Sequence, residues 1–378
     1  MNLIAKTFQG LEEELAKEIT SLGGREVRVL KRAVSFTGDK ALMYRVNLRA
    51  ATALRVLVHL FEFRFYDQKS YYRQMREFRW EQHMHVDNTF AIDAVVQSKV
   101  FPHTRMAMYK AKDAIVDRFR DRTGRRPNVA TREEDVRIHV FVKDRRARVY
   151  LDSSGSSLHL RGYKRRVGVA PLNEVLAAGL LRLSDWDATL PLIDPMCGSG
   201  TLPIEAALMA ARRPVNALRS FGFMKWLSFE ETIWNKVYQQ AMDEAIEADC
   251  VILGGDKQAR MIEVARANAA RAGVERLVHF EHRDMKDWDR NGNPGVLLFN
   301  PPYDKRMEEA DVRAFYHDIG DMLKQNWQAH TAWMITANLD ALKFVGLKAS
   351  RRIPLFNGPL ESRLVRYELY KGRKEGII

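Results

Sequence analysis

The sequence predicts an α/β protein: a doubly wound, mostly parallel sheet with an antiparallel tail, preceded by two smaller α+β units. Three observations predict it. Strand and helix patterns alternate in single steps from about residue 166 onward, whereas the earlier part groups its strands in pairs and threes. The 378 residues exceed what one ordinary core uses, and 46% hydrophobic with 29% charged residues is globular composition. The charge is also divided: the first 166 residues hold 34 Lys and Arg against 20 Asp and Glu, +14, while the remainder has 27 against 28, −1. A basic portion joined to a neutral one suggests that one part holds a polyanion and the other does something else.

In the first unit, residues 1–65, an apolar stretch at Leu3, Ile4 and Phe8 precedes a helix over 10–22 with Leu11, Leu15 and Ile19 on one face. Strands over 27–30 and 33–36, a helix over 40–48 and an extended run over 55–65 follow. The second unit, 66–165, reads as a helix over 68–78, a strand over 89–96, a long helix over 102–120, and strands over 136–142, 146–152 and 158–163. The third, 166–378, opens with a helix over 173–183. Strands over 190–193, 251–254, 277–282, 295–299 and 331–337 then alternate with helices over 201–211, 257–272 and 311–325, and a final strand pair occupies 351–356 and 364–370. Ligands of such sheets bind outside the carboxyl ends of the strands, so the loops there are the place to seek chemistry.

Two of those loops are unusual. The first runs Asp194, Pro195, Met196, Cys197, Gly198, Ser199, Gly200, Thr201, between a strand and a helix. Its glycines let backbone approach a ligand, and the helix start offers free amides. A dinucleotide fingerprint needs glycine where Pro203 stands, and a P-loop needs lysine where Gly200 stands. Asp194 also repels a pyrophosphate and attracts a cation such as an ammonium or a sulfonium. The second loop is Asn300, Pro301, Pro302, Tyr303. The prolines stiffen the chain and cannot donate, so the Asn300 and Pro301 carbonyls can face one point as acceptors, with the Tyr303 ring beside them. Convergent acceptors and a ring suit a planar group bearing an amino substituent.

Other features narrow the class. No stretch approaches a membrane span, and Lys6, Glu12, Glu13 and Glu14 occupy the place of a signal-peptide core, so a cytoplasmic protein without membrane attachment is expected. Cys197 and Cys250 are too few for a disulfide framework, and His83 and His85 lack companions at metal spacing, so no metal is expected. Between Arg212 and Asp249 an aromatic segment carries Phe221, Phe223, Trp226, Phe229, Trp234 and Tyr238. It reads either as a helical insertion packed on the sheet or as a lid over the site.

The 300–303 motif with the 194–201 loop behind it resembles the motif pair of class I S-adenosylmethionine-dependent methyltransferases that act on exocyclic amino groups. Arg161-Gly162-Tyr163-Lys164, Ala170-Pro171-Leu172-Asn173-Glu174, 194–204 and 300–307 together resemble the bacterial THUMP-domain methyltransferases of 23S ribosomal RNA, which modify the guanine 2-amino group. The resemblance covers essentially the whole chain. It implies a ferredoxin-like unit over 1–65, an RNA-binding THUMP domain over 66–165 and a Rossmann-like class I methyltransferase domain over 166–378. It implies S-adenosyl-L-methionine as cofactor. Asp194, Gly198 and Gly200 would surround its methionine part, Asp256 would take the ribose hydroxyls, Asp284 the adenine amino group, and Met285 would lie beside the ring. Pro171, Glu174, Pro195, Cys197, Ser199 and Thr201 would line the same site. Asn300, Pro301, Pro302 and Tyr303 would be the catalytic tetrad. Members of the family often have glycine after that tyrosine; here Asp304 follows it.

The resemblance implies an RNA partner, 23S ribosomal RNA or a large-subunit precursor. Candidate contacts are Arg125 and Arg126 near the turn at Gly124, Arg161, Lys164, Arg165 and Arg166 at the junction, and Lys305 and Arg306 after the tetrad. A tRNA guanine methyltransferase and a non-catalytic RNA-binding assembly factor are the competing readings. A protein-glutamine methyltransferase would leave the basic half without a role.

Overall fold

Short-range chemistry sets several helix starts. Asp39 accepts from the Leu42 amide at 2.7 Å, and Asp67 and Ser70 cap each other's backbone reciprocally. The computed structural model describes residues 1–130, 133–164, 172–288, 294–302, 309–358 and 360–370. The first unit contains β1 (Asn2–Lys6), α1 (Glu12–Ser21), β2 (Arg25–Leu30), β3 (Ala33–Thr37), α2 (Lys40–Arg49) and β4 (Arg55–Arg64). The second contains α3 (Gln68–Glu77), β5 (Thr89–Gln97), α4 (Thr104–Thr123), β6 (Asn128–Val129), β7 (Val136–Lys143) and β8 (Arg146–Asp152).

These units share one sheet of eight strands, ordered β2-β3-β1-β4-β8-β7-β5-β6. The ten-residue β4 makes the union, pairing antiparallel with β1 on one side and with β8 on the other. The strand expected over 158–163 does not form. That segment turns instead, with the Leu158 amide bonded to Leu54 and the Arg161 side chain buried, because its backbone crosses the junction rather than meeting a strand edge. The two-residue β6 beside β5 carries no sequence signal of its own.

The third unit contains α5 (Glu174–Leu183), β9 (Leu192–Asp194), α6 (Thr201–Ala210), α7 (Glu231–Asp243), β10 (Ile252–Asp256), α8 (Ala259–Ala272), β11 (Val278–His282), β12 (Val296–Phe299), α9 (Glu309–Asn326), β13 (Thr331–Thr336), β14 (Arg351–Asn357) and β15 (Leu360–Glu368). Its seven strands run β11-β10-β9-β12-β13-β15-β14, the first five parallel and the last two antiparallel. The order reverses between β9 and β12, which opens a crevice at their carboxyl ends. One face buries Leu176, Leu180, Leu202 and Ile262 from α5, α6 and α8; the other buries Tyr316, Ile319 and Leu323 from α9.

Among the described residues, the aromatic side chains of this segment do not pack on the seven-stranded sheet or over its site, although Val215 and Ala248 at its two ends join the third unit's core. Phe221, Phe223 and Trp226 belong to the core of the first two units, and α7 packs on α2. Tyr44 of α2 stacks on Phe223 at 4.3 Å between centroids and meets Trp234 edge-on at 6.1 Å. The insertion therefore leaves the third unit to complete the hydrophobic core of the first. Gly155 and Gly222 allow this approach, since a Cβ on Gly222 would lie 2.9 Å from the Gly155 nitrogen. No helix among the described residues is long and apolar enough to cross a membrane.

Candidate active site

The cofactor-type loop leaves β9 at Asp194 and enters α6 at Thr201. Gly198 and Gly200 both have positive φ, 53° and 81°, which folds the loop tightly. Their surroundings differ. A Cβ on Gly200 would lie 2.9 Å from Phe280 and 3.0 Å from Ala265, so Gly200 lets α6 pack against its neighbours; a Cβ on Gly198 would enter open space. The Cys197 amide donates to the Gly255 carbonyl at 2.8 Å, and Asn268 donates to the Ser199 carbonyl at 2.9 Å, pinning the loop to β10 and α8. Cys197 is buried against Gly254, and burial raises its thiol well above the usual range, so it packs rather than reacts. Ser199 and Thr201 are buried with their hydroxyls 3.4 Å apart, and Pro195 is buried as well.

Two carboxylates stand at the ends of neighbouring strands. Asp194 is 2% exposed and accepts from the Met196 amide at 3.1 Å. Burial raises its pKa well above the ordinary value, with the nearby Asp256 adding to the rise and the Met196 amide opposing it. Asp256 ends β10, accepting from the Gly198 amide at 3.0 Å and from the Gln258 amide at 2.8 Å. One bond per oxygen leaves further lone pairs for a ligand. On the next strand, Asp284 is half-buried and caps the turn 285–287 through the Lys286 amide at 3.0 Å, with Met285 buried beside it. The sequence interval from Asp194 to Asp256 is 62 residues, against the usual ~20. The structure closes it: Asp194 is the register partner of Gly254.

The second loop lies beside the first. β12 pairs in parallel with β9, Leu297 opposite Ile193, so Asn300 and Asp194 emerge at the same end of adjacent strands. Asn300 is half-buried, Pro301 buried and Pro302 exposed. Tyr303, Lys305 and Arg306 lie outside the described residues, as do Pro171, Arg165 and Arg166.

Three charged candidates take other partners. Arg161 is fully buried: its guanidinium faces Glu205 of α6 at 3.3 Å and donates to the carbonyls of Leu158 at 2.9 Å and Ala51 at 2.6 Å, so it is closed to RNA. Lys164 is sequestered by Glu174 at 3.5 Å and the Leu172 carbonyl at 2.8 Å, which removes it from an RNA surface and turns Glu174 toward a lysine. Arg125 is exposed and ion-paired with Asp87, and Arg126 is exposed in the same turn. Sequence spacing gives no sign of the Arg161 partners, because Glu205 and Ala51 are 44 and 110 positions away.

A crevice at the strand reversal, an acidic pair and a proline-stiffened turn on the adjoining strand, carried on a basic α+β platform, define the class I methyltransferases with an appended binding module. Comparison with known proteins gives the family. Residues 161–366 match the RMKL-like methyltransferase domain, 2–57 the RlmL ferredoxin-like domain and 67–152 the THUMP domain. The chain belongs to the RMKL-like methyltransferase family. It is 35% identical over 371 residues to the "Putative RNA methyltransferase slr0064" of Synechocystis, covering 97% of this chain and 96% of that one. It is 34% identical over 386 residues to the "Ribosomal RNA large subunit methyltransferase K/L" of Syntrophotalea carbinolica, covering 99% of this chain but 54% of that protein, so it spans about half that relative's length. Among solved structures it resembles SMU.472, "a putative methyltransferase complexed with SAH", at 28% identity and TM-score 0.87 over 98% of this chain and 99% of that one.

S-adenosylmethionine is the methyl donor of this class, and the residues present fit it. Asp194 offers a carboxyl group whose ionised form would pair with an ammonium or a sulfonium, and Gly198 leaves open space above the loop. Asp256 retains acceptor capacity for hydroxyls, and Met285, after the next strand, is buried in the core shared with α9.

Proposed function

We propose that this protein transfers a methyl group from S-adenosylmethionine to the exocyclic 2-amino group of a guanine in 23S ribosomal RNA. The observation that carries the reading is the adjacency of β9 and β12, which sets the acceptor turn at Asn300 and Pro301 beside the loop that starts at Asp194. The relative named for the ribosomal large subunit supports the substrate, and the net +14 of the first 166 residues supports a polyanion.

A guanine amino group is a poor nucleophile because its lone pair is delocalised into the ring. The Asn300 and Pro301 carbonyls accept hydrogen bonds from its two N–H groups and favour a pyramidal nitrogen, while Pro302 stiffens the turn. Bound S-adenosylmethionine supplies an electrophilic methyl carbon on a sulfonium. The N–C bond forms as the S–C bond breaks, the sulfur keeps the electron pair, and the methylated nitrogen loses one proton to water. No strong base is required before attack, since methylation collapses the amine's pKa. Holding the two reactants in line can contribute about 7–11 kcal/mol of the barrier reduction. Stacking by Tyr303 and phosphate contacts by Lys305, Arg306, Arg165 and Arg166 belong to the same reading.

The amine is out of reach inside a paired helix, so the base is extruded or already unpaired, at a cost of a few kcal/mol. Contacts to RNA backbone and shape from the basic platform, with Arg125 and Arg126 as exposed candidates, offset it. The test is transfer of labelled methyl to deproteinised 23S RNA and, in parallel, to bulk tRNA. Label in 23S RNA recovered as 2-methylguanosine is expected; label in tRNA alone, or in no RNA, rejects the reading. Asn300→Ala should abolish transfer while RNA affinity stays within a few-fold, and normal methylation by that variant would remove the catalytic assignment.

A further inference from the structure

Arg363 stands at the site end of the third unit with no acidic partner among the described residues. It lies in β15, opposite Thr336 at the carboxyl end of β13, and β13 in turn neighbours β12 with Phe299 opposite Met334. Two strand spacings therefore separate Arg363 from the acceptor turn at Asn300, roughly 10 Å between backbones. Alternation along β15 places Arg363 on the face of Val365 and Tyr367, which pack with α9, the helix into which the chain runs after the Asn300 turn. The backbone beneath it is fixed. The Thr336 hydroxyl meets the Tyr316 hydroxyl at 2.6 Å and accepts from the Asn338 amide at 3.0 Å, and Asn338 in turn accepts from the Ala341 amide.

Its neighbours in the hairpin are differently placed. Arg351 and Arg366 both lie over the Trp333 ring, at 6.0 and 5.7 Å from its centroid, and they pair with Asp185 and Glu368. Arg363 is half-buried, and its side chain makes no ion pair or hydrogen bond among the described residues. None of its side-chain nitrogens is among the buried, unpartnered atoms of the described residues, so the guanidinium keeps contact with solvent and is available to an anion.

We propose that Arg363 is a positioning residue that grips a backbone phosphate of the RNA beside the guanine being methylated. This rests on the RNA methyltransferase reading above. A guanidinium presents parallel N–H donors that match two phosphate oxygens, and a phosphate held there fixes the strand from which the base is turned out.

The experiment compares the full-length protein with Arg363→Gln and Arg363→Lys. The readouts are KM and kcat on deproteinised 23S RNA, affinity for S-adenosylhomocysteine by calorimetry, and the salt dependence of binding to a single-stranded RNA fragment containing the modified guanine. Arg363→Gln should raise KM for RNA about tenfold, the effect of ~1.4 kcal/mol, with kcat and S-adenosylhomocysteine affinity nearly unchanged. The slope of log affinity against log salt should fall by about 0.7, one single-strand phosphate contact, and Arg363→Lys should recover most of it. A wild-type KM and salt slope in Arg363→Gln overturns the proposal, as does a loss of S-adenosylhomocysteine affinity equal to the loss for RNA. If the unsubstituted protein methylates no RNA, the function reading fails separately; Arg363 is then judged on the binding slopes alone, and equal slopes overturn it.

Discussion

The guanidinium of Arg161 lies 3.3 Å from the Glu205 carboxylate, and neither side chain is reached by solvent. The pair ties the junction segment to α6, the helix that begins at the Gly200 turn. Through the Ala51 carbonyl and Asn216 it also ties in the platform and the insertion. Tyr163 adds its hydroxyl to Glu205 at 3.0 Å.

Breaking one half of this pair leaves a buried carboxylate uncompensated. Arg161→Met should cost about 3–5 kcal/mol of stability, whereas Arg161→Met combined with Glu205→Met should recover much of it. Urea denaturation of the three proteins measures this. A single variant as stable as the parent would show that the pair holds nothing.

The two glycines of the cofactor loop should fail in different ways. Gly200→Ala adds a Cβ 2.9 Å from Phe280 in a left-handed conformation, so it should lower stability by more than ~1 kcal/mol. Gly198→Ala meets open space on the protein side and should lose only about the conformational ~1 kcal/mol, yet it should weaken S-adenosylhomocysteine binding at least tenfold, because the proposed site puts the ligand in that space. Thermal unfolding and calorimetry on both variants separate the outcomes, and equal ligand affinity in parent and Gly198→Ala contradicts this placement.

Cofactor affinity should rise with pH. Burial and Asp256 hold the folded pKa of Asp194 above its ordinary 3.8, so the ligand-free protein gives up stability as pH climbs from there through the raised value. A bound cation favours the ionised form and lowers that pKa, so binding releases a proton and tightens over the same window. Calorimetry in buffers of different ionisation enthalpy should detect the release. Asp194→Asn should bind more weakly and without it, while its ligand-free form is at least as stable as the parent at neutral pH.

The insertion should behave as a strut. Trp234→Ala removes an edge-on contact with Tyr44 and part of the shared core, for an expected loss of about 2–3 kcal/mol. The dissociation rate of S-adenosylhomocysteine in stopped flow should not change. Faster release from the variant would restore the lid reading.

Much of the fold and half of the site are legible in the sequence because they depend on short intervals. Alternating patterns locate the third unit's strands, and the proline pair and paired glycines mark two loops whose backbone chemistry is local. Arg161 and Lys164 mislead for the opposite reason. A cation near a junction looks available to RNA until the fold brings Glu205 and Glu174 to it. The aromatic run at 221–238 misleads similarly: its composition announces burial without saying against which body, and Tyr44 answers from 190 positions before Trp234.

By itself, then, the amino-acid order determined the alternation of elements, the acidic and glycine corners, the acceptor turn and the division of charge, since each is written within a few neighbouring positions. The tertiary structure alone decided which charges are spent inside and which face outward, that the insertion supports the platform, and that Arg363 reaches the site end of the sheet. Those outcomes depend on contacts between distant segments, and a buried group takes its character from whatever packing brings against it.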